Sequence, residues 1–445
     1  MSKLSSEHIS HVIGFLNREA DYAVLRNYEG LPDKNKSRDI DIIITKKSFN
    51  AIKDRLVKLI GHSDWKIVTY LNSDRLITYV CGYQDGNRTE LVQWDFFVNT
   101  SAFGIVLMEA EEFLVHKKFD GFLYYVDVEC QFLDKYLYNR AVGTVYPEKY
   151  RTTREQVEHV PIVEEKIYSL YGAYTVAECD RMSGKYLLFA AFCSNLKKHP
   201  GRLIINIGSF LNTFLGNYLR SNTGFSIGFT GPDGSGKTTV IDSMIENMGD
   251  VFRKAHAYYH FRPMMFGNLS EVAHSAGVKK VVDREYDKPH RGGRTGMLSS
   301  LTRLMYYSAD YIVGYWVKVK SVTRITRLVI FDRYYTDIIC DSRRSRIYLN
   351  PKFLYGFGKL FIPSLDYNIL LTASSDTILA RKRELDKGGI DAINEKIDYL
   401  TEKKGYYKVL NEGTPQEAVA HILRIVFEEQ HKKNLNRMKY GSCKI

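Results

Sequence analysis

The sequence predicts an α/β chain of 445 residues in three parts: a C-terminal three-layer domain around a parallel sheet, an N-terminal α+β domain, and a helical region connecting them. Three observations predict this. From Phe225 onward, short apolar runs alternate with helical segments, the pattern of βαβ units. Residues 1–150 alternate strand and helix patterns as well. Between 151 and 221 the apolar positions recur at helical spacing instead. The boundaries are therefore 1–150, 151–221, 222–430 and a basic tail, 431–445. The turn-like Ser221-Asn222-Thr223-Gly224 opens the third part.

Composition narrows the field. A 44% hydrophobic and 26% charged chain can bury an ordinary core. Six cysteines are scattered with no Cys-x-x-Cys pair, which argues against a zinc site or disulfide framework and suits a reducing cytoplasm. No apolar run is long enough to span a membrane. The net charge of +12 favours phosphate-bearing partners, but the basic residues are dispersed and no nucleic-acid recognition motif stands out, so nucleic acid is not expected. The tail from His431 to Lys444 reads as frayed and solvated.

In the N-terminal part, Ser37-Arg38-Asp39-Ile40-Asp41 runs into an apolar strand. Side chains alternate along a strand, so Asp39 and Asp41 share a face, where two carboxylates can hold Mg²⁺. Asp95 lies alone in the apolar run Leu91 to Phe97, where a carboxylate is costly unless it binds something. The set resembles the polymerase-β-like nucleotidyltransferases over residues 10–140. The resemblance implies Asp39, Asp41 and Asp95 as three metal acids. The usual Gly-Ser helix start is replaced by Leu25-Arg26-Asn27, which leaves both an active transferase and a binding-only domain open.

The middle part carries a helical stretch, Arg202 to Arg220, with apolar residues on one face. Packing against a neighbour accounts for it. A face lying on the inner surface of a membrane is the alternative, since both ends are basic.

The third part holds the most specific signal. Gly231-Pro232-Asp233-Gly234-Ser235-Gly236-Lys237-Thr238-Thr239 fits a P-loop between an apolar strand, Phe225 to Phe229, and a helix, Val240 to Met248. Backbone N–H groups and the helix N-terminus cradle phosphate, Lys237 reaches the β- and γ-phosphates, and the Thr238 hydroxyl completes a Mg²⁺ shell. Leu328 to Asp332 reads as a strand beside it, bringing Asp332 to the metal as a Walker B acid, with Arg333 placed to grip a second phosphate. Pro363 to Leu371 reads as another core strand. A helix from Ser375 to Arg383 ends in Arg381-Lys382-Arg383, cations suited to a lid over the transferring phosphoryl group.

These residues resemble the thymidylate kinase-like branch of P-loop kinases over 222–430. Gly231 to Thr239, Asp332-Arg333-Tyr334, the Pro363-x-x-Asp366 strand and the Arg381–Arg383 cluster carry the resemblance. It implies Asp233 and Arg333 on the acceptor side and Arg381 or Arg383 at the nucleotide or lid. The Ala-Tyr-Gln segment that reads the base in true thymidylate kinases is replaced by Asp341-Ser342-Arg343-Arg344-Ser345-Arg346. The glycine-rich acceptor loop is replaced by His260-Phe261-Arg262-Pro263, followed by a basic insertion, Lys288 to Gly296.

The expected function is Mg²⁺- and ATP-dependent phosphoryl transfer to a small phosphorylated or hydroxyl-bearing acceptor or a glycan, in the cytoplasm. Peripheral contact with the inner face of the membrane and a homodimer stay open. The alternatives are a nucleotidyltransferase with a supporting P-loop domain, a true thymidylate kinase, and a non-catalytic NTP-binding switch or scaffold.

Overall fold

The computed structural model describes residues 2–441 except 36, 38, 62, 63, 220–222, 254 and 268–294. The chain divides into two compact units. One holds Met1–Gly82, Leu91–Arg220 and Asn434–Ile445; the other holds Tyr83–Glu90 and Ser221–Lys433.

The first unit is built on a mixed seven-stranded sheet in the order β3-β4-β5-β2-β1-β9-β8. Its strands are β1 (Tyr22–Val24), β2 (Asp39–Ile44), β3 (Lys66–Asn72), β4 (Leu76–Asp85), β5 (Arg88–Phe97), β8 (Lys118–Phe119) and β9 (Tyr124–Tyr125). A separate hairpin pairs β6 (Asn99–Ala102) with β7 (Ile105–Glu109). Helix Val128–Ala141 starts where the Asp127 side chain accepts from Cys130 N. Helix Gly184–Lys198 is capped in the same way by Ser183. Both bury apolar residues in one core with Ala102, Leu107 and Phe113, and Ile167 and Leu203 from the 151–220 stretch join it. His199 breaks the helical run, and a 20-residue helix, Pro200–Leu219, follows.

That last helix is held along a narrow seam. Leu203 is buried, Ile207 is partly buried, and the Phe210 ring meets Phe103 edge-on. Gly104 lets the helix come this close. A Cβ there would stand 2.8 Å from both the Asn206 carbonyl oxygen and the Ile207 Cα, and its φ is +82°.

The second unit is an all-parallel five-stranded sheet in the order β11-β12-β10-β13-β14. The strands are β10 (Phe225–Thr230), β11 (His256–His260), β12 (Leu328–Asp332), β13 (Tyr367–Thr372) and β14 (Tyr406–Leu410). The three central strands are buried at every residue, as in sheets covered on both faces. Val329, Phe331 and Leu370 share one core with Leu304, Ile338, Leu354 and Ile397 from helices Met297–Gly314, Tyr335–Cys340, Pro351–Phe361 and Lys387–Thr401. Helices Lys237–Asn247 and Pro415–Gly441 bury Val240, Met244, Ile422 and Phe427 outside that cluster. The chain leaves β10 toward β11 on one side and reaches β13 on the other. The carboxyl end of β10 is therefore the switch point where α/β sheets place ligands.

The expected α/β class with its parallel C-terminal sheet is observed. Two local expectations are corrected. The basic tail is not frayed over residues 431–441: helix Pro415–Gly441 runs through it, and buried Asn434 Nδ2 donates to the Ile67 and Val68 carbonyls at 3.0 Å. There Lys432, Lys433, Arg437 and Lys439 outnumber the apolar Leu435 and Met438, so the segment reads as a solvated tail. The helix expected over Ser375 to Arg383 stops at Arg381, because Lys382 takes extended backbone. Most of the 288–296 insertion lies outside the described residues.

Gly104→Ala tests the close approach. Both the positive φ and the contact with the Pro200–Leu219 backbone oppose a methyl group, so urea unfolding should show a loss of about 1–3 kcal/mol.

Candidate functional site

The P-loop leaves β10 and enters helix Lys237–Asn247 through Gly236, whose φ of +87° only glycine adopts without strain. A Cβ on Gly236 would meet Asn411 Nδ2 at 2.5 Å. That amide donates to the Ser235 carbonyl at 2.8 Å, tying the loop to the chain just beyond β14. Lys237 is buried, and its Nζ donates to the carbonyls of Gly231 (2.8 Å) and Pro232 (2.9 Å). Burial, reinforced by nearby Arg333, pulls its pKa down to about 7. Thr238 and Thr239 open the helix and are exposed.

β10 and β12 pair in register, Phe229 against Asp332. This places the Asp332 carboxylate beside the loop, where the sequence expected it. Asp332 Oδ2 accepts from Tyr258 Oη at 3.1 Å and lies 3.5 Å from His260 Nδ1. Asp332 Oδ1 is buried with no hydrogen-bond partner among the described residues. Burial alone would raise the Asp332 pKa, yet the His260 contact, Lys237 and Arg333 hold it below its usual value.

Arg333 has a φ of +76°, a strained conformation for a side-chain-bearing residue. It turns back over the loop. One arm donates to Asp337 Oδ1 at 2.7 Å, and the other pairs with Asp233. Asp233 also pairs with Arg344, so one loop carboxylate holds two guanidinium groups. Burial opposes the Arg333 charge, but Asp337 and Asp233 more than offset it and raise its pKa.

Of the remaining candidates, Arg381 Nη1 donates to the Asn411 carbonyl at 2.8 Å, near the loop's amide tie. Arg383 lies past the helix end and is exposed, so the cluster is not a single helical face. Arg343 points toward exposed Asp386 at 3.9 Å and does not join Arg344 at Asp233. Asp366 accepts from Ser226 N and Oγ and pairs with Lys433 at 2.7 Å, a strand-locking role. Asn411, Asp337 and Tyr258 carry no motif that marks them as site residues, and His260 was read only as part of the segment that replaces the acceptor loop.

In the first unit, β2 and β5 pair in parallel with Asp41 against Asp95. Ligand oxygens of Asp39, Asp41 and Asp95 all lie within 4.8 Å of one another. The three acids read from separate segments are thus brought together. Asp95 accepts from Thr78 Oγ1 (2.6 Å) and Gln93 Nε2 (3.0 Å). Burial and the neighbouring Asp41 push its pKa up to about 7. Arg26 stands in the segment that departs from the expected Gly-Ser start. Its guanidinium is 2.6 Å from Asp41 and 2.7 Å from Asp134.

No family model matches the chain, and no curated protein matches it. Among solved structures, a thymidylate kinase from Ehrlichia chaffeensis is 14% identical, with a TM-score of 0.31. The match covers 46% of this chain and 98% of that one. At that identity and score the likeness adds nothing to what the sheet order and the loop already say. The second unit has an α/β fold around an all-parallel five-stranded sheet. Among the described residues, no helix is long and apolar enough to cross a membrane.

The Asp95 carboxyl sets a pH signature. Its folded pKa lies above the unfolded value of 3.8, so the stability it contributes is fully present below about pH 4 and is lost as pH rises through about 7. Asp95→Asn should flatten this slope. Without divalent cations above neutrality, the variant should be more stable than wild type by on the order of 1–3 kcal/mol, measured by thermal melts across pH.

Proposed function

We propose that the second unit is a Mg²⁺-dependent phosphotransferase that uses an NTP, ATP being the expected donor, on a small anionic acceptor. The observation that carries this reading is the P-loop at the sheet's switch point, with buried Lys237 and Asp332 side by side. The orphaned, buried Asp332 Oδ1 fits a cation that would complete its coordination. Thr238 and Asp332 would hold Mg²⁺, which when bound neutralises charge on the β- and γ-phosphates. Lys237, at a pKa of about 7, gains its proton fully when a polyphosphate replaces the carbonyls it now contacts. Arg333, oriented by Asp233 and Asp337, would bind acceptor phosphate bidentately, and Arg344 stands on the other side of Asp233. Arg381 and Arg383 would close over the transferring group.

The Asp39, Asp41 and Asp95 cluster supports a second reading, nucleotidyl transfer in the first unit. Three convergent carboxylates, one held half-protonated near neutrality, are the donor set a divalent cation takes. Arg26 neutralises part of Asp41, which favours weak or regulated metal binding over a permanent site.

Product analysis separates the two readings. With ATP, Mg²⁺ and a panel of nucleoside monophosphates, sugars and glycans, the kinase yields ADP without pyrophosphate, whereas nucleotidyl transfer releases pyrophosphate. Lys237→Ala should lower turnover by roughly 10²–10³-fold. Asp332→Asn should lower kcat by a similar factor while nucleotide Kd moves only a few-fold, since metal positioning counts most as charge shifts. Unchanged turnover in folded Lys237→Ala would remove the P-loop from the chemistry.

Thymidylate should be a poor acceptor, because Asp341 to Arg346 offers charge where base-reading groups would stand. A thymidylate kcat/KM of about 10⁴ M⁻¹s⁻¹ or more would make the second unit an ordinary thymidylate kinase.

A further inference from the structure

Neither reading uses the paired helices Gly184–Lys198 and Pro200–Leu219, yet both expose large apolar side chains. Ile204 is 71% exposed, Leu211 51%, Leu215 52% and Leu219 59%. At 100° per residue these four fall within one narrow arc of the helix, away from the Leu203, Ile207 and Phe210 seam that anchors it. On the preceding helix, Leu187 and Ala191 face the core, and Phe189 (64% exposed) and Leu196 lie on the opposite side.

Within the segment the charge has one sign, and Glu109 of β7 meets one of its cations, Arg202, at 3.0 Å. From residue 181 to 220 the sequence contains Arg181, Lys185, Lys197, Lys198, Arg202 and Arg220 and no acidic residue. Half of the chain's net charge of +12 therefore sits in this one segment. Bulky apolar side chains on a segment that carries six cations and no acid match the boundary of a bilayer with anionic headgroups, where acyl chains meet phosphate. A second copy of the chain is a poorer occupant. A twofold interface through this face would set the two segments' like charges against each other, and neither segment carries an acid of its own. The helix does not meet the apolar length a span requires, so it would lie in the interface plane.

We propose that the Gly184–Leu219 helical pair docks this chain on an anionic membrane surface, with the Ile204, Leu211, Leu215 and Leu219 face inserted among the acyl chains and the lysines at the His199 break on the headgroups. The phosphotransferase reading is independent of this docking, and either can fail without the other.

Flotation of the full chain with vesicles of phosphatidylcholine, alone or mixed with phosphatidylglycerol, tests it. Wild type should float with the mixed vesicles, and added salt should weaken the binding. Lys197→Gln with Lys198→Gln should lower the partition coefficient about five-fold per cation on mixed vesicles and leave the weak phosphatidylcholine binding unchanged. Leu211→Ser with Leu215→Ser should lower it roughly tenfold or more on both. These positions are exposed, and matching circular dichroism and melting curves would show that the variants fold. No flotation, or flotation that neither variant changes, overturns the proposal. So does sedimentation showing a dimer that the leucine variant dissociates while wild type ignores both vesicles; the face would then join two copies.

Discussion

Two buried cations, Lys237 and Arg333, stand close enough that each opposes the other's charge, and the candidate phosphate site depends on how that repulsion is managed. Arg333 is settled by two carboxylates, Asp233 from the loop and Asp337 from the helix after β12. Lys237 is given carbonyl oxygens instead and carries a depressed pKa. Removing one member of a buried pair of this kind typically costs about 3–5 kcal/mol, because the other charge is left uncompensated. The same pairs brace a strained backbone at Arg333 and tie it to the loop and to the helix after β12. A concentration of positive charge built before any anion arrives is what electrostatic preorganisation requires.

The first unit arranges charge in the opposite sense. Three carboxylates converge, and Arg26 pairs with Asp41 and is shared with Asp134. Proton uptake at Asp95 relieves the remaining repulsion. One unit thus gathers positive charge and the other negative, and both place their charges at the ends or on the faces of parallel-paired strands.

Local pattern made much of this readable. The P-loop advertises itself because glycine, lysine and threonine must follow one another at fixed spacing for the backbone to turn. Asp332 was legible because an apolar strand ending in a carboxylate is rare, and Asp39 with Asp41 because strand periodicity places both on one face. What escaped was set by distance along the chain. Asn411 lies 176 residues from Ser235, and Asp134 lies 108 from Arg26, so neither pairing leaves a local trace. The helix through the tail was hidden for another reason. Its many cations mimic a solvated terminus, and the fully buried side chain there is a polar one, Asn434. The end of the Ser375–Arg381 helix turned on a single extended residue, Lys382, below the resolution of any pattern.

The amide of Asn411 has a bearing on descent. It fills the space a side chain at position 236 would occupy while holding the Ser235 carbonyl. The two positions are therefore under joint selection. A shorter residue at 411 abandons the loop, and a longer one collides with its turn, so across descendants of a common ancestor position 411 should drift as little as the glycine it faces. A lineage that has lost the asparagine should have rebuilt the passage from β14 to its last helix. That makes position 411, unmarked by any motif, a useful character for grouping distant homologues when overall identity has decayed.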